Sequence, residues 1–350
     1  MTTRINLMND YNLVAHERVL DSLQESLAVR FEGYGADAET ARAKAALSER
    51  IQCPQAAVHF LVGGTQVNLT AISAFLRPHE AVIAPHTAHI ATHETGAIEA
   101  CGHKVLVHES PHGKLGPNEV IASVKQHTDE HMVKPRLVYL SQTTEYGTLY
   151  SQAELRALRA VCDEHDLLLY IDGARLAYAL GSPHSDLTLP LLAELADAFY
   201  LGGTKNGLLF GEALVICNPS LQADFRHLIK QRGGLLAKGF LLGIQFNAFL
   251  KDDLYLELAA TANALAAKLD GGLKALGYDF ALQTETNQVF VIVDNAALPK
   301  LHEHLMFEEW QQLSSEQTTI RFVTTWKTTE SDIQTVLDLM RPPAAPLASD

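Results

Sequence analysis

Basic charge is scarce in this chain. Only 27 Lys and Arg stand against 41 Asp and Glu, a formal net charge of −14 over 350 residues. A chain of that sign repels nucleic-acid backbones and anionic lipid surfaces, which argues against either as a partner. Long apolar runs are lacking as well: none reaches the about eighteen residues that spanning a bilayer needs, and Met1-Thr-Thr-Arg-Ile-Asn has no apolar signal core. The four cysteines, Cys53, Cys101, Cys162 and Cys217, are scattered and form no C-x-x-C pair, so they read as reduced, buried thiols rather than a disulfide framework. Absent too are G-x-G-x-x-G and a P-loop, which disfavours a classical dinucleotide or ATP fold. A cytoplasmic setting is expected.

What is present is an alternation. Seven short apolar runs, at 57–62, 81–84, 104–108, 137–141, 167–171, 198–201 and 213–217, are separated by helical patterns such as 152–165 and 187–196. Strands alternating with helices predict an α/β domain with a mainly parallel, seven-stranded sheet covered by helices on both faces. From residue 244 the pattern changes to one long helix through 273, strands at 288–293 and 319–323, and a last helix at 330–340, a smaller C-terminal α+β domain. The expected division is an N-terminal segment, 1–30, with a helix near 16–29 and packing on both domains; a large domain, 31–243; a small one, 244–341; and a loose, proline-rich tail, 342–350.

Ligands of open parallel sheets bind beyond the carboxyl ends of the strands, so residues just after each strand matter most. Four junctions stand out. His59-Phe-Leu-Val-Gly63-Gly64-Thr65 runs from a strand through two glycines and a hydroxyl into a helical pattern, which suits a phosphate or is an ordinary glycine-rich turn. An apolar strand delivers Asp172 to its end; such a carboxylate is paired, functional or a helix cap. Another apolar strand ends in Gly202-Gly203-Thr204-Lys205, where burial would lower the amine's pKa, unless Lys205 faces solvent. His86, His89 and His93 lie at helical spacing and could share a face, leaving a metal site as a competing reading, although no motif completes the set. Alternatively one imidazole lies flat on an aromatic cofactor. His127 to His131 reads as a polar loop and His302-Glu303-His304 as a helix face.

A strand-end Asp, a strand-end Lys 33 residues later and a glycine-hydroxyl turn upstream together suit pyridoxal 5′-phosphate (PLP). Lys205 would hold the cofactor as a Schiff base, Asp172 would keep the pyridine nitrogen protonated, and Gly63, Gly64 and Thr65 would anchor the phosphate.

The chain resembles the L-threonine aldolase and β-eliminating lyase group of fold-type I PLP enzymes along nearly its whole length. The motifs are Asn9-Asp10, Tyr34-Gly35, Gly63-Gly64-Thr65, His89-Ile90, Glu94-x-Gly96-Ala97, Asp172-Gly-Ala-Arg175, Thr204-Lys205 and Ile320-Arg321-x-Val323-Thr324. The resemblance implies that His89 stacks on one face of the pyridine ring and Ala174 lies on the other. It further implies that Thr204 lies beside the cofactor and that Asn9, Arg175 and Arg321 bind the substrate, the two arginines gripping its carboxylate. Lys238, in a glycine-rich segment, would reach the phosphate of a neighbouring subunit, so a homodimer or homotetramer with shared sites is implied. No metal is.

Three departures concern the substrate. Asn9 stands where the family has a serine, Thr144 where it has a histidine, and Thr324-Thr325 where it has Thr-His. The leading expectation is retro-aldol cleavage of a β-hydroxy amino acid to glycine and an aldehyde, of the low-specificity threonine aldolase type. Glu94, His93, His89 or a water would take the hydroxyl proton. The alternatives are β-elimination at the same site, a non-catalytic protein of the same fold, or a histidine–metal protein.

Overall fold

The structure, a computed structural model, describes residues 4–341; the tail expected at 342–350 lies outside the described residues. Its strands are β1 (Ile5–Asn6), β2 (Ala57–Leu61), β3 (Glu80–Pro85), β4 (Val105–His108), β5 (Lys134–Ser141), β6 (Leu168–Asp172), β7 (Ala198–Gly202), β8 (Glu212–Ile216), β9 (Gln288–Asp294), β10 (Leu305–Met306), β11 (Glu308–Gln312) and β12 (Gln317–Val323). Strands β2 to β8 form a seven-stranded sheet in the order β2-β8-β7-β6-β5-β3-β4. Only β8 runs against its neighbours.

Both faces of this sheet are covered, which explains why its strands read as unbroken apolar runs. The pleat divides each strand cleanly. Val138, Leu140, Leu169, Ile171, Phe199 and Leu201 enter one core, and Leu137, Tyr139, Leu168, Tyr170, Ala198 and Tyr200 enter the other. Three tyrosines from adjacent strands therefore line one face, and Asp172, two residues after Tyr170, points the same way. At the carboxyl edge Ser141 is in register with Asp172, while Gly202 and Leu61 both pair with Glu212. The ends of β2, β5, β6 and β7 thus lie together.

A second sheet, β11-β12-β9, is antiparallel and carries its own core of Val289, Val291, Ile320 and Phe322. The sequence predicted two of its strands; β11, Glu-Glu-Trp-Gln-Gln, was not foreseen because only one of its five residues is apolar. The single helix expected from 244 to 273 is two, Phe240–Leu250 and Leu254–Ala275. Between them Asp252 and Asp253 take positive φ values of 53° and 56°, a left-handed turn that acidic residues accept better than apolar ones. The second helix gives Leu254, Leu258 and Ala262 to the large core and Leu265, Leu269 and Leu273 to the small one. The N-terminal helix is Glu17–Glu25, shorter than expected. Cys53, Cys162 and Cys217 are buried free thiols, but Cys101 is only half-buried.

Candidate active site

Asp172 is 4% exposed and surrounded by donors. Its Oδ1 accepts from the Tyr200 hydroxyl at 2.6 Å and the Ala174 N–H at 3.0 Å; its Oδ2 accepts from the Tyr139 hydroxyl at 2.6 Å and the Asn68 amide at 2.9 Å. Burial alone would raise its pKa. The nearby His89 charge and those hydrogen bonds outweigh it and hold the carboxyl below its ordinary value.

The lysine loop packs directly on this turn. Gly202 N–H donates to the Gly173 carbonyl at 2.9 Å. That approach requires both glycines: a Cβ on Gly173 would lie 1.7 Å from the Tyr200 carbonyl oxygen, and one on Gly202 2.3 Å from that of Ala174. Glu212 fixes the next step by accepting from Gly203 N–H at 3.0 Å, and burial pushes its carboxyl up to about 7. Thr204 accepts from Gly211 N–H at 3.0 Å and the Lys205 carbonyl accepts from the Tyr178 hydroxyl at 2.6 Å. Lys205 itself is half-buried, its Nζ 6.0 Å from the centre of the Tyr11 ring. Desolvation and the Arg175 charge push its pKa down, against the pull of Asp10, Glu145 and Asp172.

His89 opens the short helix His89–Thr92 and its Nδ1 lies 2.8 Å from Glu94 Oε1. Desolvation disfavours its charge, but Glu94, Glu145 and Asp172 raise its pKa above the ordinary value. Glu94 lies behind the ring, its side chain fully buried, with Oε1 also accepting from Asn68 at 2.7 Å. His93 is exposed, 5.5 Å ring to ring from His89. His86 lies outside this helix, 3.5 Å from Glu109, so the three imidazoles that the spacing allowed to share a face are not on one helix.

Beside Tyr200, whose hydroxyl a Cβ on Gly64 would approach to 2.8 Å, Gly63 precedes the helix Gly64–Phe75 without a side-chain cap; a Cβ on Gly63 would meet nothing within 4 Å, and Thr65 is exposed. A 12-residue helix beginning this way presents free N–H groups to an anion. These residues fit PLP: anion-binding amides, an ionised carboxylate, an imidazole and an amine of lowered pKa.

The two arginines differ. Arg175 is buried and engaged by Asp10, Nε to Oδ2 at 2.7 Å and Nη2 to Oδ1 at 3.0 Å, so much of its fork is occupied within the chain. Asn9 turns its side chain to the Tyr11 N–H at 3.1 Å. Arg321 lies on the Trp310 ring, 4.8 Å from its centre, with Nη1 on Gln288 at 3.0 Å and Nη2 on Glu308. Its Nε, the Gln288 Nε2 and the Asn287 Oδ1 are buried without a partner among the described residues. Lys238 is exposed.

Thr144 does not face this cluster. Its hydroxyl bonds that of Thr148 at 2.7 Å, and the turn closes through Thr144 N–H to Thr148 O at 3.0 Å. Glu145 stands at the tip instead, beside Tyr146, whose ring packs on Phe290 and Trp310 next to Arg321. The Glu145 charge acts on His89, Arg175, Lys205 and Arg321. Glu145, Asn68, Tyr139, Tyr200 and Glu212 were not singled out as site residues. Strand parity marks the tyrosines, since each lies two residues before the strand end; nothing in the sequence marks Glu212.

The β-eliminating lyase family model matches residues 20–296. The chain belongs to the β-eliminating lyase family. A low specificity L-threonine aldolase of Pseudomonas aeruginosa is 34% identical over 315 residues, 88% of either chain. A Leishmania major threonine aldolase structure superposes with a TM-score of 0.94 at 45% identity, covering 96% of this chain and 98% of that one. The family's fold extends further: Thermus thermophilus aspartate aminotransferase shares it, with a TM-score of 0.68 at 15% identity.

Proposed function

We propose that this β-eliminating lyase family member is a PLP-dependent aldehyde lyase that cleaves a β-hydroxy amino acid to glycine and an aldehyde. The observation that carries the reading is the meeting of Asp172, the Lys205 loop and His89 at the carboxyl ends of β6, β7 and β3, joined through Asn68 and Glu94 to a helix whose start carries no side-chain cap. The names of its relatives in Pseudomonas aeruginosa and Leishmania major support it.

Gly63, Gly64 and Thr65 would hold the phosphate, Asp172 the ring nitrogen, His89 and Ala174 the ring faces, and Lys205 the aldehyde carbon. When bound, PLP supplies an electron sink for the bond broken at Cα. Arg321 binds the substrate carboxylate, Asn9 borders it, and Arg175, held by Asp10, adds positive charge. Thr204 keeps the lysine loop in place. Glu94 orients His89, since its Oε1 is already shared between His89 and Asn68. Glu145 receives the hydroxyl proton: its charge acts on Lys205, Arg175 and Arg321, and no ion pair within the chain engages it among the described residues.

Each site draws on two chains of a homodimer or homotetramer, Lys238 reaching the neighbour's phosphate. Exposed Tyr11, Val14, Leu27 and Val29 of the N-terminal segment support such an assembly. Among the described residues no helix is long and apolar enough to cross a membrane, and unpaired cysteines support a cytoplasmic setting. The test is aldehyde release from L-threonine and L-allo-threonine. Equimolar acetaldehyde and glycine are expected; a keto acid and ammonia would mean β-elimination instead.

A further inference from the structure

Behind the residues assigned to the cofactor lies one that links them. Asn68, on the helix Gly64–Phe75, is completely buried. Its amide nitrogen donates to Glu94 Oε1 at 2.7 Å and to Asp172 Oδ2 at 2.9 Å, and its carbonyl accepts from the Tyr170 hydroxyl at 3.0 Å. Both amide hydrogens are thus spent on carboxylates, and the pattern admits one orientation of the amide. Two buried carboxylates this close tend to capture a proton between them, because like charges in a poorly solvated site cannot both ionise cheaply. A neutral double donor between them opposes that capture.

We propose that Asn68 is a positioning residue: one amide holds Glu94 and Asp172 as acceptors together, leaving the proton on the cofactor's ring nitrogen rather than in the carboxylate pair. This rests on the PLP reading above. Asn68→Asp is nearly isosteric, removes both donors and adds a third carboxylate, so the cluster must take up a proton. Asp172 then loses charge, and with it the hold on the pyridinium.

The test uses holoenzyme reconstituted with ¹⁵N-labelled PLP, whose nitrogen resonance separates pyridinium from pyridine. Wild type is expected at the pyridinium position. Asn68→Asp should move toward pyridine and weaken PLP binding about 10–100-fold, the size expected for losing charge-assisted hydrogen bonds. Adding Glu94→Gln, which removes one carboxylate, should recover part of that shift, a rescue that a packing role does not predict. Should Asn68→Asp fail to fold, Tyr170→Phe removes only the hydroxyl that fixes the amide and should give a smaller change of the same sign. An unchanged resonance and unchanged PLP affinity in either folded variant would overturn the proposal. A wild-type protein that took up no PLP would overturn the cofactor reading and this one with it.

Discussion

The two sides of the site are finished to different degrees. On the large-sheet side Asp172 has four donors and Asn68 satisfies all its hydrogen-bonding groups within the chain, and of the side chains bonded to these two a single atom, Glu94 Oε2, is buried without a partner among the described residues. On the small-sheet side Arg321 Nε, Gln288 Nε2 and Asn287 Oδ1 are buried without partners among the described residues. Leaving a buried polar atom unpaired costs roughly 1–3 kcal/mol, so Arg321 Nε and Gln288 Nε2, on two side chains already bonded to each other, suit a ligand that supplies the missing acceptors. The contrast separates a cofactor half, built rigid in advance, from a substrate half completed by what it binds. Variants of the first should lose chemistry, and variants of the second should lose binding.

The largest effect is expected at Asp172. Asp172→Asn keeps the shape but removes the charge and leaves two of the four donors without an acceptor, and kcat should fall about 10²–10³-fold, as for loss of one preorganised electrostatic group. Near wild-type kcat in this variant would break the contrast at its strongest point. Next is Glu145. Glu145→Gln should lower kcat about 10²-fold with KM little changed, the size of general-base help, whereas Thr144→His should give no gain in aldehyde release. Thr144 is buried against Gly113, where the larger ring has no room.

The two arginines serve the same substrate but are held differently, Arg175 by a buried carboxylate and Arg321 with its Nε left without a partner among the described residues. Arg321→Ala should raise KM about 10–100-fold and leave the PLP absorbance intact. Arg175→Ala strands Asp10, buried and paired to it at 2.7 Å, and should cost about 3–5 kcal/mol of stability in denaturant titration. Equal effects of the two on KM, with no loss of stability, would show that Asp10 does not hold Arg175. The smallest effect is on pH. The His89 pKa is raised above 6.5, so the His89–Glu94 pair contributes fully below that value and its contribution is lost as pH rises through the raised one. Glu94→Gln should flatten that part of a urea-midpoint profile.

The seven strands of the large sheet were legible because each carries a short apolar run, unbroken where both faces are buried, as in β6 and β7. Asp172 and Lys205 were legible for the same reason, as polar residues ending such runs. β11 was not, since a strand of Glu, Trp and Gln on the small sheet carries no apolar run to read. The break at Asp252 was hidden because Lys-Asp-Asp suits a helix surface as well as a turn. Thr144 drew attention for its position in a motif, yet its neighbour Glu145 is the one at the turn's tip. Asn68 was invisible: its meaning lies in Glu94 and Asp172, 26 and 104 residues away along the chain.

The most direct test of the central claim is borohydride reduction of the protein saturated with PLP, followed by peptide mapping of the phosphopyridoxyl group. One labelled lysine, Lys205, is expected, with loss of the visible band and of aldehyde release in proportion to labelling. Labelling at another lysine, or a fully active protein after reduction, would contradict it.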